Sequence, residues 1–86
     1  MSRAAEKRLA EMRASPRGWR YEEVAGILGA YGFVTKTSSG SHRLFKHPSG
    51  VRVGLVEKGS GTLLPVYVEE AVAAIDRVRK KGKKGT

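Results

Sequence analysis

Residues 42–55 hold the feature that most limits what this chain can fold into. The β-prone run His42-Arg43-Leu44-Phe45-Lys46-His47 leads into Pro48-Ser49-Gly50, and Val51, Val53 and Leu55 then alternate with Arg52 and Gly54. Proline is preset for the first central position of a tight turn, and glycine is free to take positive φ. Apolar–polar alternation after such a turn is the pattern of a half-buried strand paired back on its predecessor in a hairpin. A third β-prone run over 33–37 precedes the hairpin, separated from it by the loop Ser38-Ser39-Gly40-Ser41. Leu44 and Phe45 are adjacent and face opposite ways in a strand, so the pattern leaves open which face of that strand is core.

Helical spacing brackets these strands. Val24, Ile27, Leu28 and Tyr31 fall at i, i+3, i+4 and i+7, with Glu22 and Glu23 in the first turn, where the helix dipole favours them. Gly32 is placed as the C-terminal cap. Gly26 and Gly29 each cost about 1 kcal/mol relative to Ala inside a helix, and they read as positions of close contact. Pro65 can open a last helix, where its missing N–H does no harm. The apolar face of that helix is Val68, Ala71, Val72, Ile75 and Val78, and Gly82 closes it. Residues 3–14 are rich in helix formers, with Ala5, Leu9 and Met12 as a narrow apolar stripe, and Ser15-Pro16-Arg17-Gly18 ends the segment. This reads as an added helix, docked on the body or on a partner.

The order α-α-β-β-β-α predicts an α+β two-layer sandwich: a three-stranded antiparallel sheet with helices on one face. The double-stranded-RNA-binding fold has this α-β-β-β-α core, here with an extra N-terminal helix, although a fold does not fix a function. The expected division is a helical extension over 1–18, the domain over 19–81 and a basic tail over 82–86.

Composition narrows the function classes. A chain of 86 residues is one domain with a small core. Without cysteine it has no disulfides and no thiolate metal site, and its two histidines lack a ligand spacing, so no metal and no cofactor is expected. No apolar run approaches the roughly 18 residues of a membrane span, and Arg and Glu stand where a signal peptide has an apolar stretch. The expectation is a cytoplasmic protein with no membrane partner. Against 8 Asp+Glu stand 17 Lys+Arg, a formal charge of +9 that favours a polyanionic partner, most often nucleic acid. The charge sits at the ends. Arg3, Lys7, Arg8, Arg13, Arg17 and Arg20 crowd the beginning, and Arg77, Arg79, Lys80, Lys81, Lys83 and Lys84 the end. The terminal run has two compatible readings. One is a solvated end; the other is an arm in which Arg79, Lys80, Lys81, Lys83 and Lys84 hold RNA phosphates by counterion release.

Gly40-Ser41-His42 is the one place where a titratable group sits at the mouth of a Gly/Ser loop beside cations, Arg43 and Lys46. An imidazole can accept or donate a proton near neutral pH. Metal-free RNA cleavage needs such a base at a ribose 2′-OH, and cations for the charge that builds on the phosphoryl oxygens. By spacing alone, a lone histidine at a loop–strand junction is more often a surface or hydrogen-bonding residue. His47 lies five positions from His42, which puts the two on opposite faces of an unbroken strand, and it reads as a turn residue before Pro48.

Taken in order, Trp19-Arg20-Tyr21-Glu22-Glu23-Val24, Ile27-Leu28, Tyr31-Gly32-Phe33, Gly40-Ser41-His42 and Phe45-Lys46-His47-Pro48-Ser49-Gly50 resemble the HicA toxins of bacterial and archaeal toxin–antitoxin pairs. The resemblance covers roughly residues 19 to 78. It implies a double-stranded-RNA-binding-like fold and a ribosome-independent endoribonuclease (an mRNA interferase), with His42 as the catalytic residue. On that reading Gly40 and Ser41 shape the loop, and Arg43 and Lys46 position phosphate. The implied partners are mRNA and a HicB-like antitoxin that masks His42, with homo-oligomerisation inside that complex left open. One departure stands out. Many family members carry Pro-x-His after the third strand, where this chain reads Gly54-Leu55-Val56-Glu57, and a carboxylate there would repel phosphate. The competing class is a non-catalytic RNA-binding module of the same fold; a third is a protein that only docks a partner.

Overall fold

A computed structural model describes residues 3–37, 42–56 and 61–83, with backbone alone at 37 and 81–83. Six elements follow one another: α1 (Arg3–Ala14), α2 (Tyr21–Ala30), β1 (Val34–Thr37), β2 (His42–Lys46), β3 (Arg52–Val56) and α3 (Pro65–Lys83). The strands form one antiparallel sheet in the order β1-β2-β3. This is the α-β-β-β-α sandwich with an extra N-terminal helix that the element order predicts.

Burial settles which strand face is core. Phe45, Val53 and Leu55 are buried on the face that meets the helices, and they share one cluster with Val24, Ile27 and Leu28 of α2 and Val68, Ala71, Val72 and Ile75 of α3. Tyr21 packs its ring 6.3 Å from that of Phe45. The apolar stripe of α1 enters the same cluster: Ala5, Leu9 and Met12 are all buried, and α1 packs on both α2 and α3. So the N-terminal helix is docked on the body.

Local chemistry sets the joints. Gly32 follows α2 at φ +95°, its N–H reaches the Gly29 carbonyl at 3.0 Å, and the Phe33 N–H reaches that of Leu28 at 3.0 Å. This pair of bonds is a Schellman cap, which satisfies carbonyls the helix end would leave open and turns Phe33 back into the core. At the start of α2 the Glu23 carboxylate accepts the Arg20 N–H at 3.0 Å. The hairpin turns through a His47 carbonyl that accepts the Gly50 N–H at 2.8 Å, with Gly50 at φ +100° and the His47 N–H on the Val51 carbonyl. Before α3, Tyr21 N–H bonds the Gly61 carbonyl and Leu63 N–H bonds that of Trp19, tying the entries of α2 and α3 together.

Three expectations need correction. Phe33, His47 and Val51 flank the strands and are not part of them, and β3 runs on to Val56. Gly82 does not close α3, which continues through it to Lys83. Gly26 and Gly29 are not close-contact positions: a Cβ at either would meet no atom within 4 Å. They carry glycine's entropic cost with no packing gain in return. Gly26→Ala and Gly29→Ala should therefore each stabilise the fold by about 0.5–1 kcal/mol. Thermal unfolding should show each midpoint rising by several degrees.

One ion pair fastens α1 to α3. The Arg13 guanidinium holds both carboxylate oxygens of Asp76, at 2.7 and 2.8 Å. Hydrogen bonding from Arg13, with added attraction from Arg13, Arg79 and Lys80, holds the Asp76 carboxyl below its ordinary 3.8, against a smaller opposing effect of burial. A carboxyl lowered in the folded state contributes stability above its unfolded value and loses it as pH falls through the folded value. Wild type should be more stable than Asp76→Asn at neutral pH. In urea titrations the gap should close below pH 3.8, as the carboxyl of the wild type takes up its proton.

Candidate functional site

The sheet has one open face. Side chains alternate, so with Phe45, Val53 and Leu55 turned to the helices, the other face presents Val34 and Lys36 of β1, His42, Leu44 and Lys46 of β2, and Arg52, Gly54 and Val56 of β3. The register places Lys46 between Val34 and Arg52, and Leu44 between Lys36 and Gly54, while His42 pairs with Val56. His42 is exposed at one end of this face.

Lys36 is the described cation on the open face that lies nearest His42 by register. It pairs with Leu44, two residues from His42, and so is the diagonal neighbour of the imidazole on the same face. Such neighbours have Cα atoms about 7–8 Å apart, within reach of a lysine side chain. Lys46 shares the face but lies four residues along β2, about 13–14 Å away at the rise of an antiparallel strand. Arg43 falls on the helix side of the sheet, half-buried, and its Nη1 donates to the His42 carbonyl at 3.2 Å. That bond suits a residue that holds the strand backbone at His42.

The remaining expected positions separate. Gly40, Ser41 and Glu57 lie outside the described residues, as does Lys84, and of Lys81 and Lys83 only the backbone is described. Arg79 and Lys80 stand on α3 beside Asp76. Lys80 borders a groove with Gly50, Val51, Arg52 and Arg77, at the hairpin end of the sheet. The described part of the basic C-terminal run thus sits at the opposite end of β3 from His42. Lys36, Arg52 and Arg77 are the site candidates that sequence reasoning missed. Alternation marks Arg52 as outward-facing, but Lys36 becomes a neighbour of His42 only once the register across residues 38–41 is known.

His47 takes no part in the open face. Its Nδ1 accepts the Ser49 N–H at 3.0 Å and sits 2.9 Å from Ser49 Oγ, while its ring lies 5.2 Å from that of Phe33. A backbone N–H can only donate, so Nδ1 is an acceptor here and the neutral ring carries its proton on Nε2. A Cβ on Gly32 would come within 3.1 Å of that Nε2, so the left-handed Gly32 also makes room for the ring. On the helical layer, a shallow groove between α1 and α2 is lined by Arg8, Glu23, Gly26 and Ile27 and contains no histidine. Among the described residues, no three His, Asp or Glu side chains converge as a metal site would require, and no helix is long and apolar enough to cross a membrane.

No protein-family model matches this chain, and neither does any curated protein.

The role of His47 has its own test. His47→Ala should cost about 1–2 kcal/mol, from the lost Ser49 bond and the lost ring contact with Phe33. His47→Asn, whose side chain can make the same bond two residues on, should recover part of that loss. Urea denaturation of the three proteins checks the order.

Proposed function

We propose that this chain is a metal-independent endoribonuclease of the HicA type, the toxin of a toxin–antitoxin pair acting on mRNA in the cytoplasm. One observation carries the reading: an exposed imidazole, His42, stands on a sheet face that none of the described helices covers, with Lys36 as its diagonal neighbour. A polyanion can lie flat on such a face and bring a ribose against the ring.

The chemistry follows from those groups. His42 takes the proton of a 2′-OH as that oxygen attacks the adjacent phosphorus. The bond from phosphorus to the 5′ oxygen breaks, and the leaving oxygen receives a proton from the imidazolium or from water. Lys36 faces the phosphoryl oxygens as charge builds on them, where a placed cation lowers the barrier, and Lys46, further along the strand, holds a neighbouring phosphate. Arg43 holds the strand beneath His42. A HicB-like antitoxin would silence the enzyme by covering this face.

A second reading is a non-catalytic RNA-binding module. It is favoured by the lack of a second histidine on the open face among the described residues, since His47 is engaged on the other side by Ser49 and Phe33. The two readings part on one residue. His42→Ala should lower RNA cleavage by about 10²–10⁴-fold while the fold survives, because an exposed ring contributes little to the core. Cleavage by the wild type should persist in EDTA and leave a 2′,3′-cyclic phosphate and a 5′-hydroxyl. A folded His42→Ala protein that cuts at the wild-type rate would end the assignment, and wild-type protein that binds RNA without cutting would promote the second reading.

A further inference from the structure

We propose that the groove between the hairpin end of β3 and the C-terminal half of α3 is a second phosphate site, which holds the RNA backbone away from His42. Arg52, Arg77 and Lys80 are its cations; Arg52 and Arg77 belong to no site read from the sequence. The inference deepens the ribonuclease reading and rests on it for the location of the cleaved bond, although binding in the groove needs no cleavage.

Gly50, Val51, Arg52, Arg77 and Lys80 line an open groove of about 550 Å³, and Arg52 and Arg77 also line its continuation past Gly54 and Ala73. All three cations are exposed, and among the described residues none has a carboxylate within ion-pair distance. Among the described residues, two acidic groups lie close enough to matter. Glu70 lines the continuation together with Arg52 and Arg77. Asp76 adjoins Arg77, Arg79 and Lys80, but both of its oxygens are taken by Arg13. Asp76 still attracts Lys80, but the bound Arg13 guanidinium offsets its charge, so the ion pair that docks α1 leaves the groove with a surplus of positive charge. Gly50 in the groove and Gly54 and Ala73 in its continuation are small lining residues, beside which a chain of phosphates can approach the backbone.

Each cation has a local alternative. Arg77 and Lys80 lie in the C-terminal part of α3, where the dipole favours positive charge, and Arg52 is on an edge strand, where charge discourages sheet-to-sheet pairing. Neither role requires them to converge on one groove. Convergence of unpaired cations is what a phosphodiester backbone selects. The placement relative to His42 also fits one strand of RNA: His42 pairs with Val56 and Lys46 with Arg52, rows about 13–14 Å apart on the same sheet. A strand laid along β3 can meet both.

The test uses the His42→Ala chain, so that the probe stays intact, and a fluorescein-labelled single-stranded oligoribonucleotide titrated by anisotropy at several KCl concentrations. Replacing Arg52, Arg77 and Lys80 together by Ala should weaken binding about 100-fold at about 0.1 M salt and lower the salt slope by about 2, the release expected for three single-strand phosphate contacts. Arg3→Ala, Lys7→Ala and Arg17→Ala together remove the same charge from exposed positions near the N-terminus and should change both quantities little. Arg52→Lys with Arg77→Lys keeps the charge and should keep most of the affinity, which separates lost contacts from lost folding. Equal losses in the groove variant and the N-terminal variant would overturn the proposal, since the attraction would then be diffuse. So would a groove variant that binds RNA as tightly as its parent, including one that loses affinity only for polyglutamate, the mark of an acidic protein site. Cleavage is read separately with His42 intact. No cleavage together with groove-dependent binding sinks the nuclease reading and supports the groove; cleavage with groove-independent binding does the reverse.

Discussion

Everything on the working surface follows from Phe45, Val53 and Leu55 leaving water on the same side of the sheet. Burying a side chain of this kind is worth about 1.5–3 kcal/mol, a large share of the net stability of so small a domain. A slip of one residue in β3 would turn Val53 and Leu55 outward, and a slip in β2 would do the same to Phe45, in each case bringing the open-face residues of the slipped strand into the core. The same force that builds the core therefore aims His42, Lys46 and Arg52 at solvent. It also carries Arg43 to the other side.

The helical layer is completed by α1. A chain of this length buries a smaller fraction of its surface than a larger domain does, so Leu9 and Met12 add apolar burial where it is scarce. Arg13 extends that role to the surface: its bidentate hold on Asp76 fastens the helix and at the same time fixes the charge balance beside α3. Docking and electrostatics are joined in one contact. The N-terminal helix is thus more than an appendage, because Arg13 in its last turn offsets the charge of the carboxylate beside Arg77 and Lys80.

The open surface has two ends. At one, His42 stands beside Val56, with Lys36 on the diagonal. At the other, Arg52 meets Arg77 and Lys80 across the edge of the sheet. Proton transfer needs a single well-placed group, whereas binding to a polyanion needs several cations spread along its path. A sheet whose strands run from one end to the other accommodates both demands, since its rise of about 3.4 Å per residue sets their separation without any flexible part.

Local chemistry made much of this legible in the residues alone. Helical spacing located α1, α2 and α3; Gly32 marked its cap; Pro48-Ser49-Gly50 marked the hairpin; and alternation from Val51 to Leu55 separated core from surface on β3. Those signals depend on neighbours a few positions away, and a linear reading contains them. The glycines of α2 misled because permissive backbone and close approach leave the same trace in sequence, and only the space around Gly26 and Gly29 tells them apart. The face of β2 was equally undecided, for Leu44 and Phe45 are both apolar, and the helices that bury Phe45 come from distant segments. By itself the sequence determined the elements, the turn and His42 as the residue to watch. Tertiary structure alone decided that Lys36 adjoins His42, that Arg43 does not share its face, and that Arg52 converges with Arg77 and Lys80, because each depends on register or packing between segments that the chain brings together only when it folds.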